Sequence, residues 1–200
     1  MSNGGESVSG ASEENADDGP TTVLVIDDEE LFQRLFTTYL ESAGYEVNAV
    51  GSGDAALEAV DEDVDIVLLD RRMPDPSGDD VLAEIRARNI HCRVALVTAV
   101  EPDFDIVTID CDDYLVKPVS REALVDTVER LELLDEYDET RRELSALRVK
   151  RNVLEVEKHP SALEENAAFR RLQNEITKLE SELDDLEATI DERPGYEDRR

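Results

Sequence analysis

Long apolar runs, cysteine, histidine and aromatic side chains are all scarce in this chain, and each shortage removes a class of answer. No stretch approaches the roughly 18 uninterrupted apolar residues that a membrane-spanning helix needs. The N-terminus offers glycine and acids where a secretory signal needs a basic flank and an apolar core. A cytoplasmic protein with no membrane partner is the expectation. Only Cys92 and Cys111 are present, at a spacing that fits neither a zinc site nor a redox pair, so both are expected to remain thiols and to fill core volume. No cysteine–histidine or serine–histidine constellation for nucleophilic catalysis stands out. Neither a helix-turn-helix pattern nor a zinc-finger spacing is visible.

Base is scarce as well. The 200 residues hold 21 Lys and Arg against 51 Asp and Glu, a net charge of −30, yet 40% of them are hydrophobic. Such a surface repels nucleic-acid phosphates and stays hydrated and screened when salt is molar, so a salt-loving source is the simplest account. The charge is spread rather than blocked, which argues against a dedicated acidic tail. The length allows one core of ordinary size, about 100–150 residues, and a smaller appendage.

What is present begins after an uncommitted leader. Residues 1–21 combine Gly, Ser, Asn and acids with almost nothing to bury and read as disordered. From Thr22, short β-branched runs alternate with amphipathic stretches, the pattern of βα units on a parallel sheet. Strands are expected at 23–26, 46–50, 66–69, 94–97 and 114–116, with helices near 29–43, 53–61, 78–88, 103–109 and 120–134. Gly44 is placed to end the first helix and Ser120 to cap the last.

The chemistry sits at the strand ends. The first strand runs into Asp27-Asp28, the third into Asp70, the fourth into Thr98 and the fifth into Lys117-Pro118. In an open parallel sheet these ends face one crevice. Three carboxylates in one crevice repel one another unless a cation offsets them, and hard oxygen ligands suit Mg²⁺. Asp70 is then a candidate nucleophile toward a phosphoryl group, with Lys117 and the Thr98 hydroxyl neutralising the product oxygens.

The motifs VLVIDDE, LLDRRMPDPSG, VTA and DDYLVKP resemble those of the response-regulator receiver domain over residues 22–134. The resemblance implies a flavodoxin-like doubly wound sheet of five strands in the order 2-1-3-4-5. It implies Asp70 as phosphoacceptor, Asp28 as direct Mg²⁺ ligand, Asp27 as a second acid acting largely through water, and the backbone carbonyl of Arg72 as a further ligand. Thr98 and Lys117 match the phosphoryl-sensing pair, Tyr114 the aromatic that swings inward on activation, and Pro118 the proline that follows a cis bond. The implied partner is a sensor histidine kinase. Thr98 to Lys117 is shorter than is common in that family, and Asp110-Cys111 replaces a glycine-alanine pair, which implies a stunted fourth helix. Arg72 and Val100 occupy positions that often help orient hydrolytic water, and Val100 cannot do so, which implies slow self-hydrolysis.

Beyond residue 134 only helical periodicity remains. Phe169, Leu172, Ile176, Leu179, Leu183, Leu186 and Ile190 recur at three- and four-residue steps, a heptad seam. Tyr137, Leu144, Leu147 and Leu154 carry a compatible phase that Thr140 and Arg151 interrupt. His159-Pro160 is expected to break the two helices, with Ser161 and Glu164 as a capping box for the second. An antiparallel coiled-coil hairpin over 135–192 and a flexible tail over 193–200 follow. Residues in this segment, with the run LRVKRNVLEVEKHPSALEEN, resemble the HalX domain found after receivers in salt-loving archaea, whose role the resemblance does not supply. Residues 135–200 carry about −7 and residues 1–134 about −23, so base is concentrated here. Two output classes stay open: a protein-interaction switch, through a homodimer or a partner bound by the C-terminal helices, or a transcriptional regulator touching DNA or transcription machinery. HD-type and GGDEF-type output motifs are absent, and a turnover enzyme is not expected.

Overall fold

The structure, a computed structural model, describes residues 19–193. The leader read over 1–21 lies outside these residues except at its end, where Thr21 is part of the fold: its carbonyl accepts from the Glu46 amide and its hydroxyl donates to Glu132. The tail lies outside from residue 194 on.

Five strands, β1 (Thr22–Ile26), β2 (Glu46–Val50), β3 (Ile66–Leu69), β4 (Arg93–Thr98) and β5 (Asp113–Val116), form one parallel sheet in the order β2-β1-β3-β4-β5. Helices cover both faces, so the central strands are apolar without alternation: Val23 to Ile26 and Ile66 to Leu69 are all at most 1% exposed. Each such side chain contributes about 1.5–3 kcal/mol. β2, at the edge, is mostly half-buried or exposed.

Leu24, Ile26, Val67, Leu69, Val94 and Leu96 point to one face and pack with α2 (Gly53–Ala59) and α3 (Gly78–Ala87). Val23, Val25, Ile66, Leu68, Ala95, Val97 and Leu115 point to the other and meet α1 (Glu30–Glu41) and the start of α4 (Arg121–Glu157). Cys92 is buried and Cys111 half-buried in the first cluster, both as free thiols. The connections are capped where the sequence offers acceptors. Ser52, Ser77 and Ser120 each accept from an amide in the first turn of the following helix, and Ser77 forms a full capping box with Asp80. Gly44, at φ +105°, takes the left-handed turn after α1. The expected fourth helix is a single 3-10 turn, Phe104–Thr108.

The C-terminal part departs from the expected outline in two ways. The helix expected to end near 134 continues without a break for 37 residues, about 55 Å, to Glu157. Nothing in 131–140 carries a helix-ending signal: the run LELLDEYDET has neither glycine nor proline. Thr140 does not interrupt the seam; it is buried in it, its neighbour Leu144 packing on Ile176 and Leu179. The second difference is the cap. His159 caps a short helix α5 (Pro160–Glu165), with Nδ1 accepting from the Ser161 amide, and Pro160 takes the first turn, where its missing donor costs nothing. The long return helix α6 (Ala167–Glu192) starts instead at Asn166, whose Oδ1 accepts from the Ala168 and Phe169 amides. α6 runs antiparallel to α4, with Arg148 paired to Glu180 and Arg193 to Glu129. Among the described residues no helix is long and apolar enough to cross a membrane.

Arg93, at the start of β4, fastens the sheet to α4 as it leaves. Its guanidinium donates to Asp112 (3.1 Å), Asp135 (3.2 Å), Asp138 (2.6 Å) and the Leu134 carbonyl (3.0 Å). Asp112 is held in turn by Arg86 at 2.8 Å. Arg93→Ala leaves Asp112 and the Leu134 carbonyl without this donor while Asp135 and Asp138 return to water. The expected loss is about 1–3 kcal/mol in urea unfolding at constant salt, with the sheet intact by circular dichroism.

Candidate functional site

The strand ends bring the predicted residues into one crevice. Asp27 follows β1, Asp70 follows β3, Thr98 ends β4 and Lys117 follows β5, while the Lys117 amide donates to the Thr98 carbonyl. Between them the Lys117 ammonium is shared by two carboxylates, 2.6 Å from Asp27 Oδ2 and 2.6 Å from Asp70 Oδ2. All three side chains are at most 7% exposed, so the bridge lies in a low-dielectric setting. Burial works against the ammonium, but the hydrogen bonds and charges of Asp27 and Asp70 outweigh it and hold its pKa above the ordinary lysine value.

The second oxygens are fixed by backbone. Asp27 Oδ1 accepts from the Glu29 amide at 3.0 Å and Asp70 Oδ1 from the Arg72 amide at 2.9 Å. The Asp70 loop is tightened by Gly78, the first residue of α3: a Cβ there would stand 2.2 Å from the Asp70 carbonyl oxygen and 2.7 Å from the Arg71 Cα, so no other residue fits without moving backbone. Asp28 is exposed, yet one of its oxygens lies with those of Asp27 and Asp70 in a group that fits within 4.8 Å. Three carboxylates against one ammonium leave the crevice with an excess of negative charge, and burial pushes the Asp27 carboxyl above its usual range despite Lys117. The donor set is hard oxygen only, and it fits a small divalent cation held partly by water.

Three features were not picked out from sequence. The Phe32 ring lies 4.1 Å below Lys117 Nζ, a cation–π contact from α1. Gln33 donates to the Asp27 carbonyl at 2.7 Å. Arg71, rather than its neighbour Arg72, is the connected arginine. It binds Asp79 of α3 at 2.9 Å, Asp105 of the 3-10 turn, and the side chain of Tyr114. Phe32 and Gln33 follow the DDE run within one helical turn, and that offset was the available signal. Arg72 is exposed and contributes its amide to Asp70, as described. Tyr114 lies inward, 4% exposed, and its hydroxyl donates to the Val100 carbonyl at 2.8 Å. Thr98 is fully buried, its hydroxyl accepting from the Val100 amide at 3.4 Å. Lys117–Pro118 is cis.

A doubly wound parallel sheet with an acidic crevice and a lysine at its strand ends defines a phosphoryl-receiver class of α/β protein. The chain belongs to the response regulator receiver domain family, whose model matches residues 23–129, and a HalX domain model matches residues 133–199. A protein of Haloferax volcanii named as a candidate transcriptional regulator is 48% identical over 125 residues, 62% of this chain and 22% of that protein. The response regulator SaeR of Staphylococcus aureus is 33% identical over 108 residues, 52% of this chain and 47% of its own. The chain thus spans about a fifth and about half of these relatives. Among solved structures, the response regulator TrrA of Thermotoga maritima, in complex with Mg²⁺ and BeF, is 31% identical with a TM-score of 0.51 over 56% of this chain and 98% of that one. A LuxR-family DNA-binding response regulator of Staphylococcus aureus is 28% identical with a TM-score of 0.52 over 56% and 98%.

Lys117→Met removes the cation between two buried carboxylates. A loss of about 3 kcal/mol is expected in urea unfolding without divalent ions, and adding Asp27→Asn recovers part of it because one charge then remains.

Proposed function

We propose that the chain accepts a phosphoryl group on Asp70 from the phosphohistidine of a sensor kinase and passes its state to the C-terminal helical hairpin, which acts as a protein-interaction switch. The observation that carries this reading is the Lys117 bridge: it holds the Asp70 carboxylate at the mouth of an acidic crevice, beside Asp27 and Asp28.

Asp70, Asp28 and the Arg72 backbone carbonyl are the residues to hold Mg²⁺, with Asp27 acting largely through water. When bound, the ion draws charge from the phosphoryl oxygens and offsets the carboxylates. Asp70 Oδ2 attacks phosphorus, the P–N bond to the kinase imidazole breaks, and the imidazole leaves while an acyl phosphate forms on Asp70. Lys117, released from Asp70, donates to a product oxygen, and the Thr98 hydroxyl donates to another once turned from the Val100 amide. Tyr114 occupies the inward position beside Val100 and Arg71, so it serves as the aromatic member of the switch. The runner-up, a regulator touching DNA or transcription machinery, is favoured by the Haloferax volcanii relative's name.

Asp70→Asn should abolish incorporation of label from acetyl phosphate with Mg²⁺ at molar salt; undiminished labelling would reject the assignment. Val100 cannot orient water and Arg72 points to solvent, so the phosphorylated chain should keep its label well beyond seconds in the absence of kinase; decay within seconds, followed by acid-stable filtration of the label, contradicts that expectation.

A further inference from the structure

α4 is apolar on two opposite faces beyond the receiver, and among the described residues only one is covered. Thr140, Leu144 and Leu147 face α6. On the far side Val149, Val153 and Val156, four and three residues apart, are 62%, 56% and 83% exposed. This stripe is in line with the face that α4 lays on the sheet. Three- and four-residue steps lead from the buried Leu124, Val128 and Leu131 through Asp135 and Asp138, which hold Arg93, to Arg142 and Ser145 and then to the valines. Where α4 leaves the receiver, Arg142 and Ser145 line a groove of about 810 Å³ with Arg141, Asn89 and His91.

The charge beside this stripe is opposite to that of the rest of the chain. Residues 141–158 hold Arg141, Arg142, Arg148, Lys150, Arg151 and Lys158 against Glu143, Glu155 and Glu157, in a chain of net charge −30. Elsewhere acids are abundant enough to engage most cations, but Arg141, Arg142, Lys150 and Lys158 make no ion pair among the described residues. The groove and the three valines thus lie along one row of α4, with Arg142 in that row and Arg141 and Lys150 flanking it; none of the three is ion-paired among the described residues, Arg142 donating only to the Asp138 carbonyl.

We propose that this face of α4 docks an acidic amphipathic helix of a partner protein, whose apolar stripe lies on Val149, Val153 and Val156 and whose carboxylates meet Arg141, Arg142 and Lys150. A second copy of the chain is a poorer occupant, because its own α4 would bring the same cations against these. Nucleic acid would leave the valines without a partner and would meet an acidic remainder. The proposal rests on reading the C-terminal segment as the output arm. Docking is measured on the unphosphorylated full-length chain, so it fails or stands separately from phosphoacceptance at Asp70.

The probe is a fluorescein-labelled synthetic helix with leucine at three- and four-residue steps and glutamate and alanine elsewhere, followed by anisotropy at constant salt. A scrambled peptide of the same composition is the control. The chain is expected to bind the amphipathic peptide at least about tenfold more tightly than the scrambled one. Val149→Ser/Val153→Ser/Val156→Ser should weaken that binding by at least about tenfold. Should that variant lose the helical signal of the native chain, Arg142→Glu/Lys150→Glu, at two exposed positions, supplies the same comparison and should also weaken binding. Equal binding of both peptides, no binding, or unchanged affinity in the variants overturns the proposal. So does a dimer in sedimentation that the valine variant converts to monomer, or displacement of the peptide by duplex DNA.

Discussion

The ammonium of Lys117 between Asp27 and Asp70 is the interaction on which the crevice depends. Two carboxylates from β1 and β3 can lie this close in a buried setting only with a cation between them, and Lys117 reaches them from β5 across the whole width of the sheet's active half. The parallel order makes that reach possible, since every strand presents its carboxyl end to the same side. The Phe32 ring beneath Nζ and the amides of Glu29 and Arg72 on the outer oxygens fix the remaining directions. The crevice is still short of positive charge, and a divalent cation and a phosphoryl group are complementary to that deficit in different ways: the first satisfies the free carboxylate oxygens, the second competes for the lysine.

The same logic of few cations serving many acids recurs through the molecule. With 21 basic residues in the chain, several arginines of the receiver are placed to hold more than one element. Arg71 joins the Asp70 loop to α3, to the 3-10 turn and to Tyr114. Arg93 joins β4 to the segment before β5 and to α4. Arg130 joins α4 to Asp113 at the start of β5. The acids of the DDY motif are therefore structural anchors as well as a motif, and the 3-10 turn, with Phe104 91% exposed, adds the Arg71–Asp105 pair to the partial burial of Ile106 and Ile109.

How much of this was legible in the sequence follows from the range of each signal. Strands buried on both faces announce themselves, because four consecutive apolar residues such as Ile66 to Leu69 have no other use, and the chemical residues then follow from position at the strand ends. The heptad seam of α6 was legible for the same reason. Contacts that depend on where a helix happens to point, such as Phe32 under Lys117 and Arg71 on Tyr114, carry no periodic signature. The start of the return helix was misplaced because the cap signal at Ser161 lies only five residues before that of Asn166, and Asn166, directly preceding the long apolar periodicity, is the one that caps it. The continuity of α4 was hidden by the habit of ending a domain where the sheet ends.

That continuity has a mechanical consequence. A helix of 37 residues with no glycine or proline lacks the commonest causes of a kink, so its base and its tip belong to one unbroken element. Its first turns pack on the sheet through Leu124, Val128 and Leu131, and its last turns carry α6 on one side and the exposed valines on the other. The element that packs on the sheet is therefore the same one that presents the hairpin, about 55 Å from end to end. The ion pairs of Arg93 and Arg130 sit at that joint, tying the starts of β4 and β5 to α4 at the end of the sheet opposite Thr98.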